Sequence, residues 1–268
     1  MIKLIACDMD GTLLDSQKRL PKELPSVVAK LKEKGVTFCV ASGRQYAALR
    51  RDFEAYAGDV LFLCENGALV MHRDERVLID PIDPSFITRI VTATRALSSV
   101  YPVVCRAGVA LIEKTASPEF IRNTKMYYPS VEVVDDLTAL GHLTDVCKVA
   151  FYDEGDAQTH ELPELQKHLE GPLAVILSGE HWVDVMKPGV NKGCAMRGIQ
   201  QKLGLLPEEC MAFGDYLNDC ELLQAVGESY AMENAHPALK TLARHIAPGN
   251  DENGVMRVVC ARLGLAEA

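Results

Sequence analysis

Two carboxylates stand close together near the start of the chain, in the segment Asp8-Met9-Asp10-Gly11-Thr12. They follow the apolar run of residues 2–7, a pattern typical of a buried strand that ends at a polar edge. Burying two carboxylates costs free energy unless a cation or hydrogen bonds offset it. The segment therefore indicates a metal or proton site, although a simple turn uses the same residues. A calcium loop fits less well, because the third ligand and the distal glutamate are absent.

Polar residues of other types occur at two further predicted element boundaries. Ser42 and Gly43 follow the second apolar strand and open a helix. A hydroxyl and backbone N–H groups can bind an anion there, although Ser-Gly is also an ordinary helix cap. Lys192 is predicted at a helix start, where a cation opposes the helix dipole, and a solvated lysine is the simpler alternative. This segment is not a Walker loop, because Gly193 stands where Ser or Thr should follow the lysine.

A second acidic segment, which contains Asp215, Asn218 and Asp219, follows another apolar strand and opens a helix. Helix capping alone explains acids here, but it does not explain why they collect at adjacent strand ends. In a parallel sheet these carboxylates would join Asp8 and Asp10 at one edge. Carboxylate and carbonyl oxygens suit Mg²⁺, which also accepts a substrate phosphate. The sequence therefore predicts a Mg²⁺ site at this edge.

The order of predicted elements indicates an α/β protein with an insertion. Residues 1–65 alternate strand and helix as βαβαβ, which predicts a parallel sheet with right-handed crossovers. The pattern resumes over residues 192–247, so both ends of the chain should complete one sheet. We predict a catalytic core of residues 1–82 and 187–268 and an inserted domain of residues 83–186.

Helices and strands are assigned from apolar periodicity and from Gly and Pro punctuation. The predicted core strands cover residues 2–7, 36–41, 60–64, 210–213, 229–232 and 245–247, and the core helices cover 24–34, 46–56, 192–203, 217–225 and 237–243. In the insertion, the predicted strands cover residues 103–106, 109–113, 146–152, 173–177 and 182–186, and the helices cover 85–97 and 157–169.

Composition argues against several classes of function. The chain has 268 residues, 48% of them hydrophobic and 24% charged, which suffices for a full core. Its formal net charge of −9 argues against nucleic-acid binding, which usually needs a basic surface. No apolar run approaches the roughly 18 residues of a membrane span, and nine cysteines without C-x-x-C indicate reduced thiols. We expect a cytoplasmic protein with no nucleic-acid or membrane partner.

The four polar segments, in this order, resemble the motifs of the haloacid dehalogenase (HAD) superfamily. The motifs are D-x-D-G-T, S-G-R, a lysine and G-D-x-x-N-D. More narrowly, the chain resembles the Cof-type phosphatases, and the segment of residues 65–68 supports this. The resemblance implies a Rossmann-like parallel-sheet core with an α+β cap inserted after the third core strand. One departure is Glu233, because relatives often carry glycine there.

The resemblance also implies a role for each matching residue. Asp8 would be the nucleophile that forms an aspartyl-phosphate, and Asp10 the general acid and then base. Mg²⁺ would be held by Asp8, the backbone carbonyl of Asp10 and Asp215, with Asp219 supporting these ligands or binding the metal itself. The implied phosphate-binding groups are Ser42, the Gly43 amide, Lys192 and Asn218.

The resulting functional hypothesis is a Mg²⁺-dependent phosphohydrolase for small phosphorylated metabolites, such as sugar phosphates, acting as a monomer or homodimer. A phosphomutase of the same superfamily is the nearest alternative, and a non-catalytic module that binds phosphorylated metabolites is a second one. Arg106, His181 and Trp182 are candidate substrate contacts of the insertion. Each also has a purely structural interpretation, as a surface cation, a loop residue and a hydrophobic anchor.

Overall fold

The structure is a computed structural model that describes residues 1–97, 99–169 and 171–265. Residues 98, 170 and 266–268 of the predicted domains lie outside the described part. The first part of the chain forms β1 (Leu4–Asp8), α1 (Leu24–Glu33), β2 (Thr37–Ala41), α2 (Tyr46–Asp52), β3 (Val60–Cys64), β4 (Leu69–His72) and β5 (Glu75–Ile79).

The remaining elements follow in chain order. The middle part forms α3 (Pro84–Thr92), β6 (Val100–Arg106), β7 (Ala110–Glu113), α4 (Pro118–Tyr127), β8 (Val131–Val134), β9 (Val146–Asp153), α5 (Glu161–His168), β10 (Ala174–Gly179) and β11 (Trp182–Met186). The last part forms α6 (Lys192–Leu203), β12 (Cys210–Gly214), α7 (Cys220–Gln224), β13 (Glu228–Met232), α8 (Pro237–Leu242), β14 (His245–Ala247) and α9 (Gly254–Leu263). In the part of the chain that is described, no helix is both long and apolar enough to span a bilayer.

Backbone contacts divide the chain into two compact units. The first, called the core unit, comprises Met1–Gly43, Phe53–Leu78 and Asn191–Ala268. The second, called the inserted unit, comprises Arg44–Asp52 and Ile79–Val190.

A parallel sheet forms the centre of the core unit, as predicted. Among the described residues its eight strands have the order β14-β13-β12-β1-β2-β3-β4-β5. The six strands from β14 to β3 run parallel, and β4 is antiparallel to β3. β1 is buried at all five positions between β2 and β12, which explains its unbroken apolar run. The carboxyl ends of β1, β2, β3 and β12 therefore lie side by side.

The inserted unit is built on a second, mostly antiparallel sheet. Its six described strands have the order β10-β11-β9-β6-β7-β8, in which only β7 and β8 are shown to pair in parallel. β9 is buried at all eight positions. Its residues pack with α3 and α5 in one apolar cluster and with Phe120 of α4 in another. This α+β arrangement agrees with the predicted fold class.

Several element boundaries differ from the prediction. The helix expected over residues 46–56 ends at Asp52, because Phe53 leaves helical geometry with φ of −110° and ψ of 17°. The helix expected from residue 217 begins only at Cys220, after a 3-10 turn. Five elements were not predicted: β4, β5, α4, β8 and α9.

Candidate active site

Three carboxylates converge at the carboxyl edge of the core sheet. Asp8 ends β1, and Asp215 and Asp219 follow β12. One oxygen from each of the three lies within 4.8 Å of the others. Asp219 is fully buried and Asp8 is 7% exposed, whereas Asp215 is half-buried. We call these three residues the aspartate cluster.

Lys192 is buried against the aspartate cluster. Its Nζ donates to Oδ1 of Asp8 at 2.5 Å and to Oδ1 of Asp219 at 2.6 Å. The lysine begins α6, whose first turn is capped by the Asn191 side chain, which accepts from the Cys194 amide at 2.8 Å. A cation at a helix N-terminus is unfavourable by itself. The two carboxylates offset this cost, so Lys192 is more than a solvated surface lysine.

The loop after β12 is shaped by its own carboxylates. Oδ2 of Asp219 accepts from the Asp215 amide at 3.1 Å and from the Tyr216 amide at 3.4 Å. The Thr12 hydroxyl donates to Oδ1 of Asp215 at 2.9 Å, which links the loops after β1 and β12. Asp219 therefore holds the backbone of Asp215 and Thr12 holds its side chain, which stays partly accessible.

The charges of this cluster are unbalanced. With all three carboxyls ionised and the lysine protonated, the cluster would carry a formal charge of −2. Burial raises the pKa of Asp8 far above its ordinary range, the Lys192 ammonium opposes that rise, and Asp219 adds to it. Burial likewise raises the pKa of Asp215. Burial lowers the pKa of Lys192, but the Asp8 and Asp219 carboxylates outweigh it and hold the lysine protonated.

A small divalent cation fits this donor set. The residues offer only carboxylate oxygens, which Mg²⁺ prefers, and a bound dication would cancel the excess negative charge. It would also favour the ionised form of Asp8, which burial disfavours. Asp8, Asp215 and Asp219 could therefore hold Mg²⁺.

The side chain of Asp10 lies outside the aspartate cluster. It is 43% exposed and pairs with Lys18, whose Nζ lies 2.8 Å from Oδ1 of Asp10. Lys18 has a left-handed backbone, with φ of 61°, in a turn where its amide donates to the Asp15 carbonyl. The structure thus gives the two carboxylates of the opening motif different surroundings, one buried and one accessible.

The other predicted site residues lie on neighbouring strand ends. Ser42 follows β2 and is buried, and Gly43 beside it is half-buried. Asn218 is exposed, in the turn Leu217–Asp219. The contacts described for the chain join Asp8, Lys192, Asp215 and Asp219 directly, whereas Ser42, Gly43 and Asn218 share the same sheet edge.

Two residues of this edge were not assigned roles from the sequence. Thr12 holds Asp215, as described above, and its only signal was its place in the D-x-D-G-T motif. Asn234 follows β13 and donates from Nδ2 to the Gly11 carbonyl at 2.7 Å, while its Oδ1 accepts from the Asn250 amide at 3.1 Å. Asn234 thus braces the loop after β1, which is a contact across 223 residues of sequence.

The candidate contacts of the inserted unit are engaged within that unit. Arg106 forms a two-pronged pair with Asp145, at 2.8 and 3.0 Å. Nδ1 of His181 lies 2.7 Å from the Gly155 carbonyl oxygen. The Trp182 ring packs against Tyr152, with 5.0 Å between ring centroids. These contacts give each residue a structural role.

Comparison with known proteins agrees with this geometry. A family model for haloacid dehalogenase-like hydrolases matches residues 5–259. The chain is 32% identical over 264 residues to the 5-amino-6-(5-phospho-D-ribitylamino)uracil phosphatase YbjI of Escherichia coli, with 96% of this chain and 95% of YbjI covered. It is 29% identical over 251 residues to the HMP-PP phosphatase of Citrobacter koseri, with 92% and 90% covered.

A solved structure from Eubacterium rectale has the same fold. It is 29% identical and superposes with a TM-score of 0.84, covering 97% of this chain and 99% of that one. The family match spans nearly the whole chain and so includes both units. The chain belongs to the haloacid dehalogenase-like hydrolases.

Proposed function

We propose that the protein is a Mg²⁺-dependent phosphatase that hydrolyses phosphate esters of small metabolites through an aspartyl-phosphate on Asp8. The observation that carries the proposal is the aspartate cluster with its single buried lysine and its excess negative charge. The named activities of the relatives, which include phosphatases for a ribitylaminouracil phosphate and for HMP-PP, support the same reaction class.

Asp8 is the proposed nucleophile. Lys192 holds one of its oxygens, which fixes the carboxylate at the end of β1. Attack on phosphorus forms a bond between a carboxylate oxygen and phosphorus and breaks the bond to the ester oxygen, which leaves as an alcohol after taking a proton. Water then attacks phosphorus in the acyl phosphate, which releases phosphate and restores the carboxylate.

Asp10 is the proposed proton carrier. Its accessible carboxyl can give a proton to the leaving oxygen and later take one from the attacking water. Asp8, which is buried and bonded to a lysine, is less suited to exchange protons with solvent. The different surroundings of these two residues therefore support different roles.

Asp8, Asp215 and the Asp10 carbonyl are the proposed Mg²⁺ ligands. Asp219 is proposed to hold Lys192 and the Asp215 loop in place, because its two oxygens already accept from both. When bound, Mg²⁺ would neutralise charge on the transferred phosphoryl group. The Ser42 hydroxyl, the Gly43 amide, Lys192 and Asn218 are proposed to bind the phosphoryl oxygens.

We propose that the inserted domain of residues 83–186 selects the leaving group, because the core residues named above would contact only phosphate and metal.

The nine cysteines are free thiols, which supports the expected cytoplasmic location.

The activity is tested by screening phosphorylated metabolites, including nucleobase-containing phosphates and sugar phosphates, with and without Mg²⁺.

The expected result is Mg²⁺-dependent release of inorganic phosphate, ranked by kcat/KM. Isomerisation of a hexose phosphate without phosphate release would instead identify a phosphomutase. Binding without any turnover across the panel would identify a non-catalytic module.

A further inference from the structure

The loop directly after β3 has an unusual backbone. Glu65, Asn66 and Gly67 are three consecutive residues with positive φ, at 49°, 53° and 107°. Left-handed backbone is unfavourable for residues with a side chain, least so for asparagine, and persists where surrounding contacts enforce it. Glu65 is buried, so the strained conformation is packed into the core unit. We call residues 65–67 the left-handed loop.

One side of the left-handed loop contacts the proposed phosphate-binding residues after β2. The backbone N–H of Asn66 donates to the Ser42 carbonyl at 3.1 Å, and the backbone N–H of Ser42 donates to the Leu63 carbonyl at 2.8 Å. The Asn66 side chain lies over Gly43, where an added Cβ would come within 3.0 Å of its amide nitrogen and oxygen. Asn66 therefore contacts this segment in two ways, through its backbone N–H at Ser42 and through its side chain at Gly43.

The other side of the loop contacts the start of α6. A Cβ on Gly67 would overlap the Asn191 carbonyl group, so only glycine permits this approach. Asn191 caps α6 and immediately precedes Lys192. The left-handed loop thus touches both segments from which phosphoryl oxygens would be bound. Strained backbone concentrates at sites where geometry matters for function.

We infer that the Asn66 side chain is a positioning group that holds Gly43, and with it Ser42, relative to Lys192 for phosphate binding. The inference rests on the proposed phosphatase function and adds to it a residue that touches no reacting atom. Small displacements of binding groups cost much of the rate, because phosphoryl transfer depends on alignment.

The test replaces Asn66 by glycine, which keeps the left-handed backbone accessible, retains the backbone N–H that bonds Ser42, and removes the side chain that lies over Gly43. Asn66→Gly is expected to lower kcat roughly tenfold and to weaken binding of inorganic phosphate several-fold in the presence of Mg²⁺. Phosphate binding is measured by calorimetry on the full chain, and kcat with p-nitrophenyl phosphate.

Asn253→Gly is the matched control. Asn253 is exposed, has φ of 54° and precedes α9, where its side chain donates to Glu23 at 3.2 Å. Both variants make the unfolded chain equally more flexible, so their Tm values can be compared directly. The control is expected to keep wild-type kcat and phosphate affinity.

Unchanged kcat and phosphate affinity in Asn66→Gly would overturn the inference, even if its Tm fell below that of Asn253→Gly. That result would leave the phosphatase proposal intact, provided that the wild-type protein hydrolyses the ester. If the wild-type protein lacks hydrolysis, the proposed function fails, and the phosphate-binding comparison alone decides whether Asn66 positions the anion site.

Discussion

Both units bury ionisable side chains, but they balance the charge differently. In the core unit, Asp8, Asp215 and Asp219 converge beside one buried lysine, which bonds Asp8 and Asp219. These carboxylates come from distant segments of the chain. The Thr12 hydroxyl, in the loop after Asp8, donates a hydrogen bond to Asp215, which lies 203 residues further along. The result is a site with excess negative charge that burial makes costly.

In the described part of the inserted unit, the following buried ionisable side chains have a polar partner or a raised pKa. Lys148 and Asp184 form a buried pair at 3.1 Å. Asp153 is fully buried. Its Oδ1 accepts from the Gly155 amide at 2.8 Å, and its Oδ2 lies 2.6 Å from Nδ1 of His160. Burial raises the pKa of Glu161 to about 9, so this carboxyl is neutral at pH 7.

Because both units bury ionisable side chains, burial alone does not identify a functional site. The buried carboxyls of the inserted unit named above, Asp184, Asp153 and Glu161, have a polar partner or a raised pKa, and so need no further ligand. In the aspartate cluster, one lysine serves both Asp8 and Asp219, and burial raises the pKa of Asp8 and Asp215, so only a further cation would let all three carboxyls ionise together. Unbalanced buried charge, rather than burial alone, distinguishes the candidate site.

If this distinction is correct, Asp8→Asn should have the largest effect of any single replacement on turnover. Loss of a covalent nucleophile is expected to lower kcat by roughly 10⁴-fold or more. Phosphate release under saturating substrate and Mg²⁺ measures it. Asp184→Asn is the control from the inserted unit, and its folded fraction should keep kcat within about threefold. Wild-type turnover in Asp8→Asn would contradict the covalent mechanism.

The sequence predicted the strands that carry the site because their apolar runs stop at polar residues. β3, α6, β11 and β14 have the predicted bounds. It missed α4, of which Phe120 and Thr124 are the buried residues among those described, and β8, whose central two residues are exposed. A short amphipathic signal of this kind is weak in a single sequence.

Site residues were predictable where a motif places them at a strand end, as for Asp8 and Asp215. The bracing roles of Asn66 and Asn234 were not, because each depends on a contact with a distant segment. The Asp10 contact with Lys18 depends on a left-handed residue in an irregular turn, which periodicity does not reveal. The sequence therefore predicted the positions of strand-end residues better than the contacts that hold them in place.

The two units should also differ in how they respond to loss of one buried carboxylate. Asp184→Asn removes one partner of a buried ion pair, and should lower the free energy of unfolding by about 3–5 kcal/mol. Asp8→Asn, measured without metal, leaves Lys192 paired with Asp219 and should cost far less. Urea unfolding monitored by circular dichroism compares them. Equal losses of free energy of unfolding would show that Lys192 depends on Asp8 as strongly as Lys148 depends on Asp184, and would contradict the proposed difference between the two sites.

Mg²⁺ should stabilise the protein through the aspartate cluster alone. At about one hundred times its Kd, a ligand of the folded state adds about 2.7 kcal/mol to the free energy of unfolding. Asp215→Asn should remove most of this gain. Asp145→Asn, which alters the pair with Arg106 in the inserted unit, should retain it. The Mg²⁺-dependent shift in Tm is the measurement, and the same shift in both variants would place the metal elsewhere.

Glu161 provides the last test, because the comparison requires this buried carboxyl to be protonated in the folded protein. Its pKa is raised by burial from 4.5 to about 9, so the folded protein keeps a proton that the unfolded chain loses. The stability tied to this proton is complete below pH 4.5 and falls as the pH rises towards 9.

Between about pH 5 and 8, the free energy of unfolding of the wild-type protein should therefore fall by about 1.4 kcal/mol per pH unit relative to Glu161→Gln. Urea unfolding at unit steps of pH, without metal, gives both profiles. Parallel profiles would mean that Glu161 is ionised when folded. The inserted unit would then also hold an unmatched buried charge, and charge imbalance would no longer single out the aspartate cluster.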